Sequence, residues 1–250
     1  MREQIDYVVN YIKQLPIDGC ITGSCLLGEY WEGMDVDCFV YDEKSFNKIL
    51  FDLKYNPDFQ ILDKLEKWKF DKYINCENGK ASFGITTIKF VYNTVIPVNI
   101  ILKKYAKNTF SVLSSFDMDI ISKALDIKTG LILDLSGDSV KTKTASWNRW
   151  NTAFYDPELW QISRILRQLE RLIKYHRRGF NTDAVCLKYI DLIDEVQNYQ
   201  SIFQSESFNE TLSIRKKNTR IVKQICETWL KTHEMSDEQL QLLKEKIKEI

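Results

Sequence analysis

The chain reads as an α+β protein: a mixed-sheet N-terminal domain with helices on one side, then an all-helical C-terminal domain. Three observations predict this. Short β-rich runs crowd residues 59–102 and return near 117–135. The runs before and between them carry apolar residues at helical spacing. After about residue 140 strand signals stop, and long helical periodicities with clear caps take over. The expected domains are 1–140 and 141–250.

Residues 2–15 place Ile5, Val8, Val9, Ile12 and Leu15 on one helical face, and Pro16 ends the run. Cys20–Thr22 is a short strand. Gly23-Ser24 is a turn, and Ser24 caps a short helix to about Tyr30, with Gly28 a weak point. The strand 35–41 alternates Asp35 and Asp37 with Val36, Cys38 and Val40. Asp42 caps a helix with Phe46, Ile49, Leu50 and Leu53 inward, and Asn56-Pro57 breaks it. Strands follow at Phe59–Leu62, Trp68–Ile74, Ile85–Tyr92 and Val95–Leu102, split by turns at Asn78-Gly79 and Asn93-Thr94. Thr109–Ser115 is a helical turn. Asp117–Asp126 and Leu131–Leu135 read as two strands around a tight turn, and Lys141–Ser146 as a polar connector.

Asp156-Pro157-Glu158 is a strong helix start, and Gly179 fits the stop after Arg178. A second helix spans Asp183–Gln200 with Val185, Tyr189, Ile193 and Val196 inward. A third runs from about Thr211 to Lys231. Ser236 and Gln239 form a capping box for the last one.

Bulk composition narrows the function. Hydrophobic residues make up 44% of 250, enough for a sizeable core. Charges balance, 35 basic against 35 acidic, which argues against a protein that coats nucleic acid non-specifically. The six cysteines form no C-x-x-C pair and there are two histidines, so a zinc site is not expected. Cysteines inside apolar runs, with no apolar leader and no long uncharged stretch, point to a reduced, cytoplasmic chain that does not enter a membrane.

The chemistry concentrates at Gly23-Ser24 and Asp35-Val36-Asp37, separated by ten residues. Two carboxylates on one strand face repel unless a cation lies between them, and hard oxygen ligands suit Mg²⁺ or Mn²⁺. A Gly-Ser turn can bring backbone N–H groups and a hydroxyl to a phosphate.

This pattern resembles the nucleotidyltransferases of the DNA polymerase β superfamily. The resemblance implies transfer of a nucleoside monophosphate from an NTP to a nucleic-acid, small-molecule or protein acceptor by a two-metal mechanism. Asp35 and Asp37 would hold the metals, and Gly23 and Ser24 the phosphates. A third acid belongs on a later strand, and the position that matches, in Pro97-Val98-Asn99-Ile100, carries Asn99. Either another acid serves or catalysis is lost. Asp117 and Asp119, a second Asp-x-Asp pair, are the substitutes, with Asp119 assigned the role; the plainer reading is turn acids ahead of a strand. The alternative to an enzyme is a degenerate protein of the same fold that binds nucleotide, nucleic acid or a protein partner.

Along the helix after 157, Arg164, Arg167, Arg171, Lys174 and Arg178 form one stripe. It is either a solvated face or a phosphate-binding wall, in which Arg164, Arg167 and Arg171 would contact the nucleotide. The run Lys174-Tyr175-His176-Arg177-Arg178-Gly179-Phe180, with Ser115-Phe116-Asp117, also resembles phage and large-virus proteins of nucleotidyltransferase type. His176 falls on the apolar face, as a packed core histidine would, and His233 is expected to be exposed.

Overall fold

A computed structural model of the chain describes residues 1–62, 85–103, 106–151, 162–202 and 209–248. The expected strand Trp68–Ile74, the turn Asn78-Gly79 and the helix start Asp156-Pro157-Glu158 lie outside the described residues. The chain divides into two compact units, one of Met1–Phe116 with Ile121–Gly137, the other of Asp117–Ile120 with Asp138–Ile250.

The first unit is built on seven strands in one mixed sheet. Helix α1 (Arg2–Lys13) leads into β1 (Gly19–Thr22), and a 3-10 turn, Ser24–Leu26, precedes β2 (Val36–Val40). Then come α2 (Glu43–Tyr55), β3 (Phe59–Ile61), β4 (Ile85–Tyr92) and β5 (Ile96–Lys103). A short α3 (Thr109–Leu113), β6 (Lys123–Asp126) and β7 (Ile132–Asp134) complete it. The strand order is β3-β4-β5-β2-β1-β6-β7. Only β2 and β5 pair in parallel; the other neighbours are antiparallel.

Alternation sets the two faces of this sheet. Val36, Cys38 and Val40 are wholly buried with Ile5, Val8 and Ile12 of α1 and Phe46, Ile49 and Leu53 of α2. Each such side chain contributes about 1.5–3 kcal/mol through burial, so the two helices are held to this face chiefly by six residues. Asp42 caps α2 by accepting from the Ser45 N–H at 2.7 Å. On the other face one end is apolar, where Cys20 and Ala124 pack with Val112 and Leu113 of α3. The opposite end of that face carries the polar residues described below.

Two expectations change here. The strand expected over Asp117–Asp126 is a strand only from Lys123; Asp119–Ile121 is a 3-10 turn. The alternation that would have put Asp117 and Asp119 on one sheet face therefore does not operate. The connector at 141–146 instead starts within a short helix, α4 (Ser139–Thr142).

The second unit holds α5 (Ile162–Arg177), α6 (Asp183–Ile202), α7 (Asn209–Thr232) and α8 (Asp237–Lys248). Its core joins Leu169, Leu172 and Ile173 with Val185, Tyr189 and Ile193, and with Val222, Cys226 and Trp229. Gly179, at φ +85°, donates to the His176 carbonyl and closes α5. Ser236 and Gln239 exchange side-chain to backbone hydrogen bonds at 2.8 and 3.1 Å, a capping box ahead of α8. Among the described residues no helix is long and apolar enough to cross a membrane, and the described cysteines are free and buried.

Candidate nucleotide and metal site

Strand register assembles the site. Asp37 on β2 lies opposite Thr22 on β1 and beside Asn99 on β5. Asn99 in turn lies opposite Lys89 on β4. Residues paired across neighbouring strands share a face, so Thr22, Asp37, Asn99 and Lys89 form one row across four strands. Asp35 sits just ahead of β2.

Asn99 stands at the position of the expected third acid, and its amide bridges the carboxylates. Its Nδ2 donates to Asp37 Oδ1 at 2.7 Å and to Asp35 Oδ2 at 3.3 Å. A carboxylate placed there would repel both aspartates; the amide instead links them while adding no charge.

The Gly23-Ser24 turn approaches the same pair. Gly23 adopts φ +93°, ψ −166°, a backbone region essentially restricted to glycine. A Cβ at Gly23 would stand 3.2 Å from Asp37 Oδ2, so glycine is what lets the turn come this close. Arg2 of α1 anchors the turn from behind, its Nη1 donating to the Cys25 carbonyl at 3.2 Å. Burial, with Asp37 and Asp35 nearby, raises the Cys25 pKa and keeps it a neutral thiol. Ser24 is buried as a whole residue.

The donor set suits Mg²⁺ or Mn²⁺. Two carboxylates are the usual protein contribution when phosphates and water supply the remaining oxygens. The Thr22 hydroxyl, next in the row, is a buried oxygen with no hydrogen-bond partner among the described residues. Among those residues no group of three or more His, Cys, Asp or Glu is placed to hold a metal.

The other sequence candidates belong to the helical unit. Asp117 is wholly buried there: Tyr189 donates its hydroxyl to Oδ2 at 2.5 Å, and Arg171 Nη1 lies 3.2 Å from Oδ1. Arg171 also donates to Gln168 at 2.9 Å, so its guanidinium serves this unit's own packing. Asp119 accepts from the Ser146 N–H at 2.8 Å and from the Ser139 hydroxyl, tying α4 to its unit. Burial raises the Asp119 pKa, and these bonds oppose it. The side chains of Arg164 and Arg167 are outside the described residues.

His176 and His233 stack with centroids 4.7 Å apart and planes within 2°, and Trp229 packs edge-on against both rings. His233 is only partly exposed, since its Nε2 lies 2.7 Å from Asp183 Oδ1. Sequence reading missed this pair, and it missed Lys89 and Arg2. A β-strand lysine and a helix-start arginine carry no local signal that they border a site.

No family model matches the chain, and no curated protein sequence does. Among solved structures it is similar to the Thermotoga maritima CCA-adding enzyme complexed with tRNA-CCA, at 14% identity and TM-score 0.47, over 90% of this chain and 53% of that one. It is also similar to a CCA-adding enzyme in complex with ATP, at 13% identity and TM-score 0.50, over 98% of this chain and 58% of that one. The chain thus spans little more than half the length of either. Its fold, a mixed-sheet region followed by helices, is that of the ATP-bound CCA-adding enzyme.

Proposed function

We propose that this protein is a metal-dependent nucleotidyltransferase, which moves a nucleoside monophosphate from an NTP to an acceptor hydroxyl. The observation that carries the proposal is the convergence of the Gly23 turn on an Asp35/Asp37 pair at the start of the central strand of the sheet. Asp35 and Asp37 would hold Mg²⁺ or Mn²⁺, and the backbone of Gly23 and Ser24 would receive the phosphates. When bound, the metal supplies charge neutralisation at the phosphates and lowers the pKa of a coordinated hydroxyl.

In the reaction the acceptor oxygen bonds to the α-phosphorus, the bond from that phosphorus to the α,β-bridging oxygen breaks, and pyrophosphate leaves. Asn99 cannot accept the acceptor's proton, which passes to solvent. Absence of a positioned base costs about 10²–10⁴-fold in rate, so turnover is expected to be slow. Asp119 has both carboxylate oxygens engaged by Ser139 and Ser146, and it is left out of the proposed machinery. A CCA-adding enzyme of similar fold was captured with ATP, which makes ATP the first donor to try.

A second reading has its own observation. The Asn99 amide donates to both carboxylates and brings no base, as suits a protein of this fold that binds nucleotide, nucleic acid or a partner protein and transfers nothing. Incubation with labelled NTPs, Mg²⁺ or Mn²⁺ and pools of RNA and protein separates the two. The transferase reading predicts label transfer that disappears in Asp35→Asn/Asp37→Asn. Metal-dependent NTP binding without any transfer would replace it with the second.

A further inference from the structure

We propose that the site is built for one divalent cation rather than two, with the Lys89 ammonium supplying the positive charge that a second metal would bring to the nucleotide's phosphates. This inference rests on the nucleotide reading above and specifies its cofactor and a further binding residue.

The first support is the donor set. A two-metal centre needs enough carboxylate to bridge two divalent ions, and the strand beside Asp37 offers an amide instead. Asn99 spends its Nδ2 protons on Asp35 and Asp37, which holds their oxygens together as one bidentate set. Two carboxylates with phosphate oxygens are the usual complement of a single Mg²⁺.

The second support is charge. Three carboxylates with two divalent ions leave one net positive charge to meet the polyphosphate. Two carboxylates with one divalent ion are neutral. Adding one ammonium restores the same excess. Lys89 is a cation placed to do so: it is directly opposite Asn99 in the antiparallel β4–β5 pair, on the face that carries Asp37.

The third support is reach. Neighbouring strands lie about 4.8 Å apart, so Lys89 stands about 10 Å from Asp37 across the sheet. A flexible four-carbon stem spans most of that gap. The Lys89 side chain is exposed, and among the described residues it makes no ion pair, so its ammonium is not committed elsewhere in the sheet. The Gly23 turn adjoins Asp37 at the β1 end of the row and Lys89 closes the β4 end, so a polyphosphate over the row meets backbone N–H groups on one side and the ammonium on the other.

The test counts metals and measures nucleotide affinity on the full chain, using a non-hydrolysable ATP analogue and Mn²⁺ followed by electron paramagnetic resonance. Wild type is expected to bind one Mn²⁺ per bound nucleotide, and Asn99→Asp two. Lys89→Met is expected to weaken analogue binding by about tenfold or more while the count stays at one, and Lys89→Arg to retain most of the affinity. Thermal unfolding confirms that each variant is folded. Two Mn²⁺ per nucleotide in wild type, or unchanged affinity in Lys89→Met, overturns this inference and leaves the nucleotide reading standing. No analogue bound by wild type overturns both.

Discussion

Gly23→Ala tests the turn on which the proposed site depends. The native backbone at Gly23 is φ +93°, ψ −166°, which costs an L-residue about 1–3 kcal/mol. At about 2–4 °C per kcal/mol for a chain of this size, the midpoint of thermal unfolding should fall by roughly 2–12 °C. A second effect is local. The new methyl group would stand 3.2 Å from Asp37 Oδ2, so the carboxylate has to yield by a few tenths of an ångström. Mg²⁺ tolerates little departure from octahedral geometry at about 2.0–2.1 Å, so metal-dependent ATP binding should weaken about tenfold beyond any loss of folded protein. Gly28→Ala is the control. Gly28 also has positive φ, +87°, but an added Cβ there meets nothing within 4 Å, so it should lower the unfolding temperature and leave binding intact. The assay pairs circular dichroism melts with Mn²⁺-dependent binding of fluorescent ATP. If Gly23→Ala binds as tightly as wild type while Asp37→Asn does not, the turn's close approach is irrelevant to the site and the reasoning fails.

Two further outcomes are expected in the helical unit. Arg171→Met strands the Asp117 carboxylate, whose side chain is 0% exposed, with the Tyr189 hydroxyl as its remaining hydrogen-bond donor; the cost should be about 3 kcal/mol, with Asp117→Asn in the same chain recovering part of it in urea titrations, and no loss on Arg171→Met would show the pair to be idle. Burial, then the neighbouring His233 ring, holds the His176 pKa below the ordinary 6.5, with Asp183 opposing. The folded pKa is depressed, so the stability it contributes is fully present above the unfolded value of about 6.5 and is lost as pH falls through the folded value. Trp229 fluorescence should report a helical unit that unfolds at lower denaturant as pH drops from 7 to 5, and His176→Phe should flatten that slope; an unchanged slope would mean the stacked rings do not set it.

The parts legible in the chain are those with short-range causes. Asp42 three residues before Ser45, Ser236 three before Gln239 and Gly179 after α5 each act within one helical turn, so their capping roles can be read from neighbours alone. Val36, Cys38 and Val40 advertise a half-buried strand by period two, and that same period puts Asp35 and Asp37 together. The mixed sheet followed by helices rests on such local signals. Asp117–Asp126 misled for the same reason: its alternation resembles a strand, but hydrogen bonds that the Asp119 carboxylate accepts from the Ser139 hydroxyl and the Ser146 N–H stabilise a turn.

What the sequence determined by itself was the acidic pair, the Gly23-Ser24 turn ahead of it and the absence of an acid at position 99. Tertiary structure decided what those residues face. Asn99 is 62 positions from Asp37 in the chain, and only the parallel β2–β5 register brings its amide to 2.7 Å. The β4–β5 hairpin then sets Lys89 on the same row. Burial among helices turned Asp117 from a candidate catalyst into the partner of Arg171 and Tyr189. The physical reason is common to all three: strand register and helix packing are set by the burial of whole faces, and a polar side chain goes where that burial carries it.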